Sequence, residues 1–426
     1  MTSAGGRAGY PAGASVTRAE LDTDPHPVLA RLREREPVSW VPVYGGWLVT
    51  RRDLALRVLR DAGTFTVDDP RFTTARVVGP SMLSLDGAEH RRHRDPFVAA
   101  LRRAEEQGQL DELIQAQAGR LVAALAPAGQ AELRRGLAGP LAVAVVAEVL
   151  GLGGTEPAVI LSWYDAIVGA VSDLAGQGQE RAAHPAGHGS PDAGPHPGAG
   201  EPGAGGAGER GAAAFGELRD RLLSVMASQA SGSPLAEVAA SGGLSAAEVV
   251  SNAAVLMFGG IETTEGMISN AVLHLLSHPG QARLAGADPA LAAAAVDESL
   301  RLEPAAALVD RYATADVRLG AAEVGAGELV SVSLAGANRD PAFFADPDRF
   351  DLRRPNARQQ LAFARGPHFC IGAQLAAAQA RAAITALLSQ LPGLRLADPR
   401  PARPRGLVFR KPPELRVTWD PVRPVP

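Results

Sequence analysis

Chemistry in this chain has to be sought around one sulfur. Cys370 is the only cysteine among 426 residues. That excludes an internal disulfide, a CxxC redox pair, a four-cysteine zinc site and a cysteine-ligated iron–sulfur cluster. Three uses remain: an inert buried thiol, a nucleophile, or the single thiolate ligand of a haem. The surrounding run, FARGPHFCIGAQLAAAQARAAITALL, puts the thiol just before a strongly helix-forming stretch. There it would face free backbone N–H groups and the positive end of a helix dipole, both of which favour thiolate over thiol. Gly366 and Gly372 bracket it, giving a tight turn and letting flat backbone approach a flat ligand, and Phe363 can pack across the loop. The rival is a nucleophile with His368 as base. Two residues apart on a glycine loop, these side chains tend to diverge, and no third group is placed to orient the imidazole.

A second group of residues lies in VLMFGGIETTEG. Gly259 and Gly260 inside a helix cost about 1 kcal/mol each against Ala. A helix tolerates them where it bends or where something must come close. Glu262 and Thr263 follow on an otherwise apolar stretch. An acid and a hydroxyl beside a glycine gap could pass protons to bound oxygen; equally, the Thr could bond back to a carbonyl at a helix kink. Glu298 and Arg301 stand at i and i+3 of one helix face, a spacing shared with many surface ion pairs of little value. His90 and Arg94 are four apart, again on one helix face. Solvated surface is the ordinary place for such a pair, while buried carboxylates need donors of this type.

Together these residues resemble the cytochrome P450 family. FxxGxHxCxG, here Phe363, Gly366, His368, Cys370 and Gly372, looks like its haem-binding loop, with Ala364 where a second Gly is common. The glycine gap resembles the family's [AG]GxxT oxygen-activation motif, which implies that Glu262 and Thr263 are the acid–alcohol pair. Glu298 and Arg301 match its ExxR motif and are followed by Pro347-Asp348-Arg349-Phe350. The resemblance joins Glu298, Arg301 and Arg349 in a buried structural network behind the haem loop. His90 and Arg94 match HxxxR and, with Arg311 and His368, are implied to hold the propionates of haem b; Arg91 and Arg92 are left to the surface. ANRDPAFFADPDRFDLRR is similar to the family's meander.

The likeness runs from the first hairpin to the C-terminal strands. It implies a triangular P450 fold, mainly α with small β-sheets, with Cys370 ligating the iron of a haem held between the long helix and the helix after Cys370. A thiolate there pushes electron density toward oxygen and favours O–O cleavage. The implied reaction inserts one atom of O2 into a small organic substrate, in natural-product biosynthesis or xenobiotic oxidation. With no flavin or iron–sulfur module in the chain, electrons from NAD(P)H would arrive through a ferredoxin and its reductase, docking near Arg365. Substrate contacts are expected from residues 72–82 and from Met257, Ala306 and Leu308. A peroxide-driven or radical-coupling P450, or a haem protein without turnover, is the alternative; the Glu262–Thr263 pair argues against both.

These residues must be carried by ordered elements. Residues 25–36 read as a short helix and VSWVPVYGGWLVT as a hairpin around Tyr44-Gly45-Gly46. Helical patterns follow near 51–61, 108–126, 138–151, 156–174 and 212–229. A long one starts at Ser245, a plausible N-cap, and runs to about His278 before Pro279; others span 289–303 and 372–391. Residues 305–335 and the C-terminal tail carry short β-like runs such as GELVSVSL. One domain over 1–426 is expected. Within it the Gly/Pro/Ala-rich stretch 176–211 has almost nothing to bury and reads as a flexible insertion, its His184, His188 and His196 too irregularly spaced for a metal site.

Composition narrows the setting. Hydrophobic content of 46% and charged content of 21% are ordinary for a globular core. A net charge of −4 is no footprint for nucleic acid and argues against attraction of the whole surface to anionic membranes. Arg is abundant and Lys scarce, a bias that a GC-rich bacterial genome produces. MTSAGGRAGYPAGAS has no signal-peptide or anchor pattern. The longest apolar runs, 141–147 and 253–258, fall far short of the ~20 residues that span a bilayer. A soluble, cytoplasmic monomer is expected.

Overall fold

The first hairpin forms where the alternating apolar residues flank Gly45. Val38–Val41 (β1) and Gly46–Val49 (β2) pair antiparallel, with Val38 opposite Val49, and Gly45 turns at φ +63°, a conformation that costs Gly nothing. The structure, a computed structural model, describes residues 9–183, 205–228 and 232–421. Within them Phe65–Thr66 (β3), Leu308–Ala313 (β4) and Leu329–Ser333 (β5) complete a five-stranded sheet of order β1-β2-β5-β4-β3. Only β2 and β5 run parallel in it. One sheet face buries Trp47, Val49, Val330 and Val332 against Val58 and Leu59 of the helix Arg52–Arg60 (α1).

Helices make up most of the rest: Gly87–Glu106 (α2), Gln109–Leu125 (α3), Gly139–Val149 (α4), Pro157–Ala183 (α5) and Gly205–Ser228 (α6). They are followed by Ala246–Leu276 (α7), Pro289–Leu302 (α8) and Ala373–Gln390 (α9). Ser245 caps α7 as expected, and Glu248 closes a reciprocal capping box. At 31 residues α7 is about 46 Å long and apolar nearly all round, the pattern of a central helix. Its first half packs Val250, Ala254 and Ile261 with Val143 of α4, Trp163 of α5 and Leu222 of α6. Its second half packs Ile268 and Ala271 with Val296 of α8 and Ala383 and Ile384 of α9.

Two expectations are corrected. The helices on either side of the 176–211 stretch reach into it: α5 continues to Ala183 and α6 begins at Gly205. Gly211 lies at their crossing, where an added Cβ would stand 2.5 Å from Ala170 Cβ and 3.2 Å from the Ala166 carbonyl. Small residues, invisible to a count of large apolar side chains, bring the two helices close together there. Residues 184–204, with His184, His188 and His196, lie outside the described residues.

The second correction concerns the buried ion network. Glu298 and Arg301, both fully enclosed, form a two-pronged pair at 2.8 and 2.9 Å. The third member is Arg354, 2.9 Å from Glu298, and not Arg349. The chain after Pro347 turns so that the carbonyls of Pro347 and Arg349 accept from the Arg301 guanidinium. That leaves the Arg349 side chain 67% exposed beside Asp351, while Arg354 comes back against Glu298.

Candidate haem and oxygen site

The loop before α9 is held by its own backbone. Ala364 N–H donates to Leu361 O at 2.8 Å, Phe369 N–H to Gly366 O at 3.1 Å and Cys370 N–H to Phe363 O at 2.9 Å. Two positions take left-handed backbone, Ala364 at φ +56° and Gly366 at φ +78°. Gly366 has no alternative, since a Cβ there would lie 2.3 Å from the Leu59 carbonyl. Gly372 caps α9, and a Cβ there would meet nothing within 4 Å, so this side of the loop is open. Cys370 is enclosed by surrounding protein yet keeps free surface, as a residue facing an internal opening does. Burial pushes its thiol pKa up, while the Gly372 N–H and nearby Arg94 pull it down. The helix end alone, expected to favour the thiolate, is outweighed; a metal ion bound to the sulfur would reverse the balance.

Across the interior, α7 offers a matching opening. Between Val249 and Leu273 only Leu256, Phe258, Gly259, Gly260 and Thr263 keep partial exposure. The two glycines serve different ends. At Gly259 a Cβ would meet nothing within 4 Å, whereas at Gly260 it would stand 2.7 Å from Val146 Cγ2, so Gly260 admits α4 and Gly259 faces the gap. Thr263 Oγ1 donates to the Gly259 carbonyl at 2.5 Å. Glu262 turns the other way: its Oε2 accepts from the Tyr164 hydroxyl of α5 and from Lys411 Nζ at 2.9 Å. The acid and the alcohol are neighbours in sequence but are not hydrogen-bonded to each other.

The expected propionate donors converge beside the Cys370 loop. His90 and His368 stack with ring centroids 4.3 Å apart. Arg94 donates to the Phe369 carbonyl at 2.6 Å. His368 Nε2 pairs with Asp86 at 2.7 Å, and Asp86 also accepts from Thr66 Oγ1 and Val67 N–H. Burial pushes the Asp86 carboxyl up, but these three bonds outweigh it and hold its pKa at about 2. His90 is only 3% exposed, its Nε2 has no partner, and burial lowers its pKa to about 4. Arg311, 5% exposed, donates to the Asp310 carbonyl and makes no ion pair with the described residues. A buried imidazole nitrogen without a partner and a buried guanidinium without a carboxylate are costly by themselves. They suit a group that brings carboxylates, so this donor set fits haem.

Some residues stand apart from this arrangement. Met257 has no exposed surface and lies in the core under α5, so it does not line an opening as expected, and Leu308 packs with Leu29 and Leu48 on the far side of the sheet strand from Val309. Their neighbours Leu256, Phe258 and Val309 are partly open instead. Asp86, Tyr164, Arg354 and Lys411 escaped sequence reasoning. Asp86 precedes α2 and reads as a helix cap, yet its side chain makes no cap bond because it is spent on His368. Among the described residues there is no cluster of three His, Cys, Asp or Glu that could hold a metal ion, and no helix long and apolar enough to cross a membrane.

Comparison with known proteins agrees with this geometry. The family profile "Cytochrome P450" matches residues 290–418. The cytochrome P450 monooxygenase PikC of Streptomyces venezuelae is 34% identical over 391 residues, covering 88% of this chain and 86% of that protein. The mycinamicin IV hydroxylase/epoxidase of Micromonospora griseorubida is 33% identical over 91% of this chain and 94% of its own length. Among solved structures, cytochrome P450 CYP109Q5 from Chondromyces apiculatus superimposes with a TM-score of 0.80 at 26% identity, covering 95% and 97% of the two chains. Likeness at this level over nearly the whole length means that the chain belongs to the cytochrome P450 family and is a haem monooxygenase.

Proposed function

We propose that Cys370 is the axial thiolate ligand of haem b, and that His90, Arg94, Arg311 and His368 hold its propionates. The observation that carries this reading is the partnerless His90 Nε2 beside the unpaired Arg311 and the Cys370 loop. Phe363 and Gly366 shape the loop, and Gly372 leaves its face clear while its N–H supports the sulfur. When bound, haem supplies the redox-active iron for inserting one atom of O2 into substrate. Thr263, its proton committed to Gly259, offers lone pairs toward the gap and so acts as a hydrogen-bond acceptor there. Glu262, on the other side of the same turn beside Lys411, acts as the acid that carries protons inward.

Electrons are borrowed. The single cysteine leaves no iron–sulfur module in the chain, and we assign the supply to NAD(P)H through a ferredoxin reductase and a ferredoxin docking near Arg365. Arg365 is tied to the loop by bonds to the Ala364 and Gln360 carbonyls and lies over the Phe369 ring. The substrate is a bulky natural-product skeleton, a reading supported by the relative named mycinamicin IV hydroxylase/epoxidase. Cys370→Ala tests the core of the proposal. Reduced wild-type protein with CO should show the red-shifted Soret band of a thiolate haem, and the variant should lose that band and all turnover; a normal band in the variant would sink the assignment. Spectral titration with macrolide, terpenoid and peptide panels identifies the substrate class through the spin-state change on binding.

A further inference from the structure

The chain carries 42 lysines and arginines, and Lys411 is the only lysine among them. Lys411 Nζ lies 2.9 Å from Glu262 Oε2 and 2.8 Å from Glu265 Oε2, with all three side chains largely enclosed. Its backbone is pinned from both sides. The neighbouring Arg410 side chain is buried, paired with Glu303 at 2.7 Å and bonded to the carbonyls of Leu21, Asp22, Pro404 and Gly406. Gly266 of α7 lets the segment approach, since a Cβ there would already stand 3.6 Å from Lys411 Cβ and 3.0 Å from Ala305 Cβ.

Among the described residues, the groups facing Glu262 and Glu265 come from α5, α4 and the turn before α4 as well as from Lys411. Tyr164 and, further off, Asp165 come from α5. Arg134, in the π-helical turn Arg134–Ala138 before α4, donates to Glu265 Oε1 at 2.5 Å and to the Pro413 carbonyl at 2.6 Å. Val146 of α4 closes the apolar side against Gly260. Without a cation between them, Glu262 and Glu265 would be like charges three residues apart on one enclosed helix face, which disfavours ionising both. Of the two acids Arg134 bonds only Glu265, so among the described residues Lys411 is the cation in contact with Glu262.

We infer that Lys411 is a positioning residue for oxygen activation: its ammonium parks the Glu262 carboxylate on the side of α7 turned away from the Thr263 gap, from where the acid can swing toward it. The inference rests on the reading of Glu262 as the proton carrier. It also explains why this cation is not an arginine. An ammonium offers three donors from one point, so it can bridge two carboxylates through a single bond to each and release one of them. A guanidinium would grip one carboxylate with a two-pronged fork, and Glu262 would be clamped.

The test uses haem-loaded full-length protein and two independent readouts. The first is an infrared titration of the protonated carboxyl band that Glu262→Gln abolishes. In Lys411→Met its midpoint should rise by about one to three pH units, the usual effect of removing an opposite charge at this range. In Lys411→Arg it should stay near the wild-type position. The second readout is oxygen consumption with saturating substrate and electron donor. Lys411→Arg should slow it by roughly ten- to a hundred-fold, because one more charge-assisted bond must break before the acid moves. A merely structural lysine would be replaced by arginine without kinetic cost and would leave the midpoint in Lys411→Met unmoved; either result overturns the inference. If Glu262→Gln itself consumes oxygen at the wild-type rate, the proton-carrier reading falls, while the infrared midpoint still decides whether Lys411 governs that carboxyl.

Discussion

The hydroxyl of Thr263 is bonded to the Gly259 carbonyl, so its hydrogen is not available to the gap and its lone pairs are. Removing it takes away an acceptor without disturbing the helix ladder. Thr263→Ala should therefore bind substrate and accept electrons normally, yet consume NAD(P)H while releasing hydrogen peroxide in place of product. Full coupling of NAD(P)H to product in that variant would reduce Thr263 to a helix residue. Glu262→Gln should instead slow oxygen consumption, by ~10²–10⁴-fold if it supplies general acid help. Ala364 invites a different change. It sits at φ +56°, where a Cβ is strained and glycine is not. Ala364→Gly should leave the haem spectrum unchanged and raise unfolding stability by about 1 kcal/mol, read from the urea midpoint.

At the scale of elements, the Glu298 network and the crossing of α5 with α6 make separable predictions. Arg354 is 6% exposed and shares the Glu298 carboxylate with Arg301, whereas Arg349 reaches water. Breaking a buried pair by removing one partner costs about 3–5 kcal/mol, and an exposed substitution stays within about 0.5 kcal/mol. Arg354→Met should thus unfold at much lower denaturant than wild type, and Arg349→Met at nearly the same concentration. Equal effects would mean that the network is not joined as described. For the insertion, replacing residues 176–211 by a short Gly/Ser linker removes the Gly211 contact with Ala166 and Ala170 along with both helix ends. Replacing only 184–204 removes neither. The first replacement should lower the thermal midpoint and the second should not, a difference that calorimetry resolves.

The molecule as a whole should lose stability in mild acid for a reason seated far from the chemistry. His274 of α7 is half-buried beside Phe350 with Nδ1 paired to Ser299. Burial drives its pKa down to about 3, against the weaker opposing pull of Glu303. An unfolded histidine titrates near ~6.5. Between those values the unfolded chain binds a proton that the folded chain refuses, so stability present above ~6.5 falls as pH drops toward 3. The slope for one such proton is ~1.4 kcal/mol per pH unit. His274→Gln should flatten urea midpoints across that window; an unchanged slope would mean that the imidazole is protonated in place.

How much of this was legible in the chain depends on how local each feature is. Helix and hairpin periodicity, the Ser245 cap, the glycine at 366 and the order of the family's motifs are written within a few residues of one another, and they foretold the fold and the tight turn before α9. Contacts between distant segments were not written that way. Arg349 and Arg354 are both arginines in an arginine-rich stretch, and only the turn of the chain after Pro347 decides which side chain reaches Glu298. Asp86 looks like a cap until His368, 282 residues on, takes its carboxylate. Gly211 looks like linker until α5 is laid against it. Glu262 and Thr263 stand side by side in sequence, but helix geometry points successive residues about 100° apart, so one faces the gap and the other faces Lys411, 149 residues away.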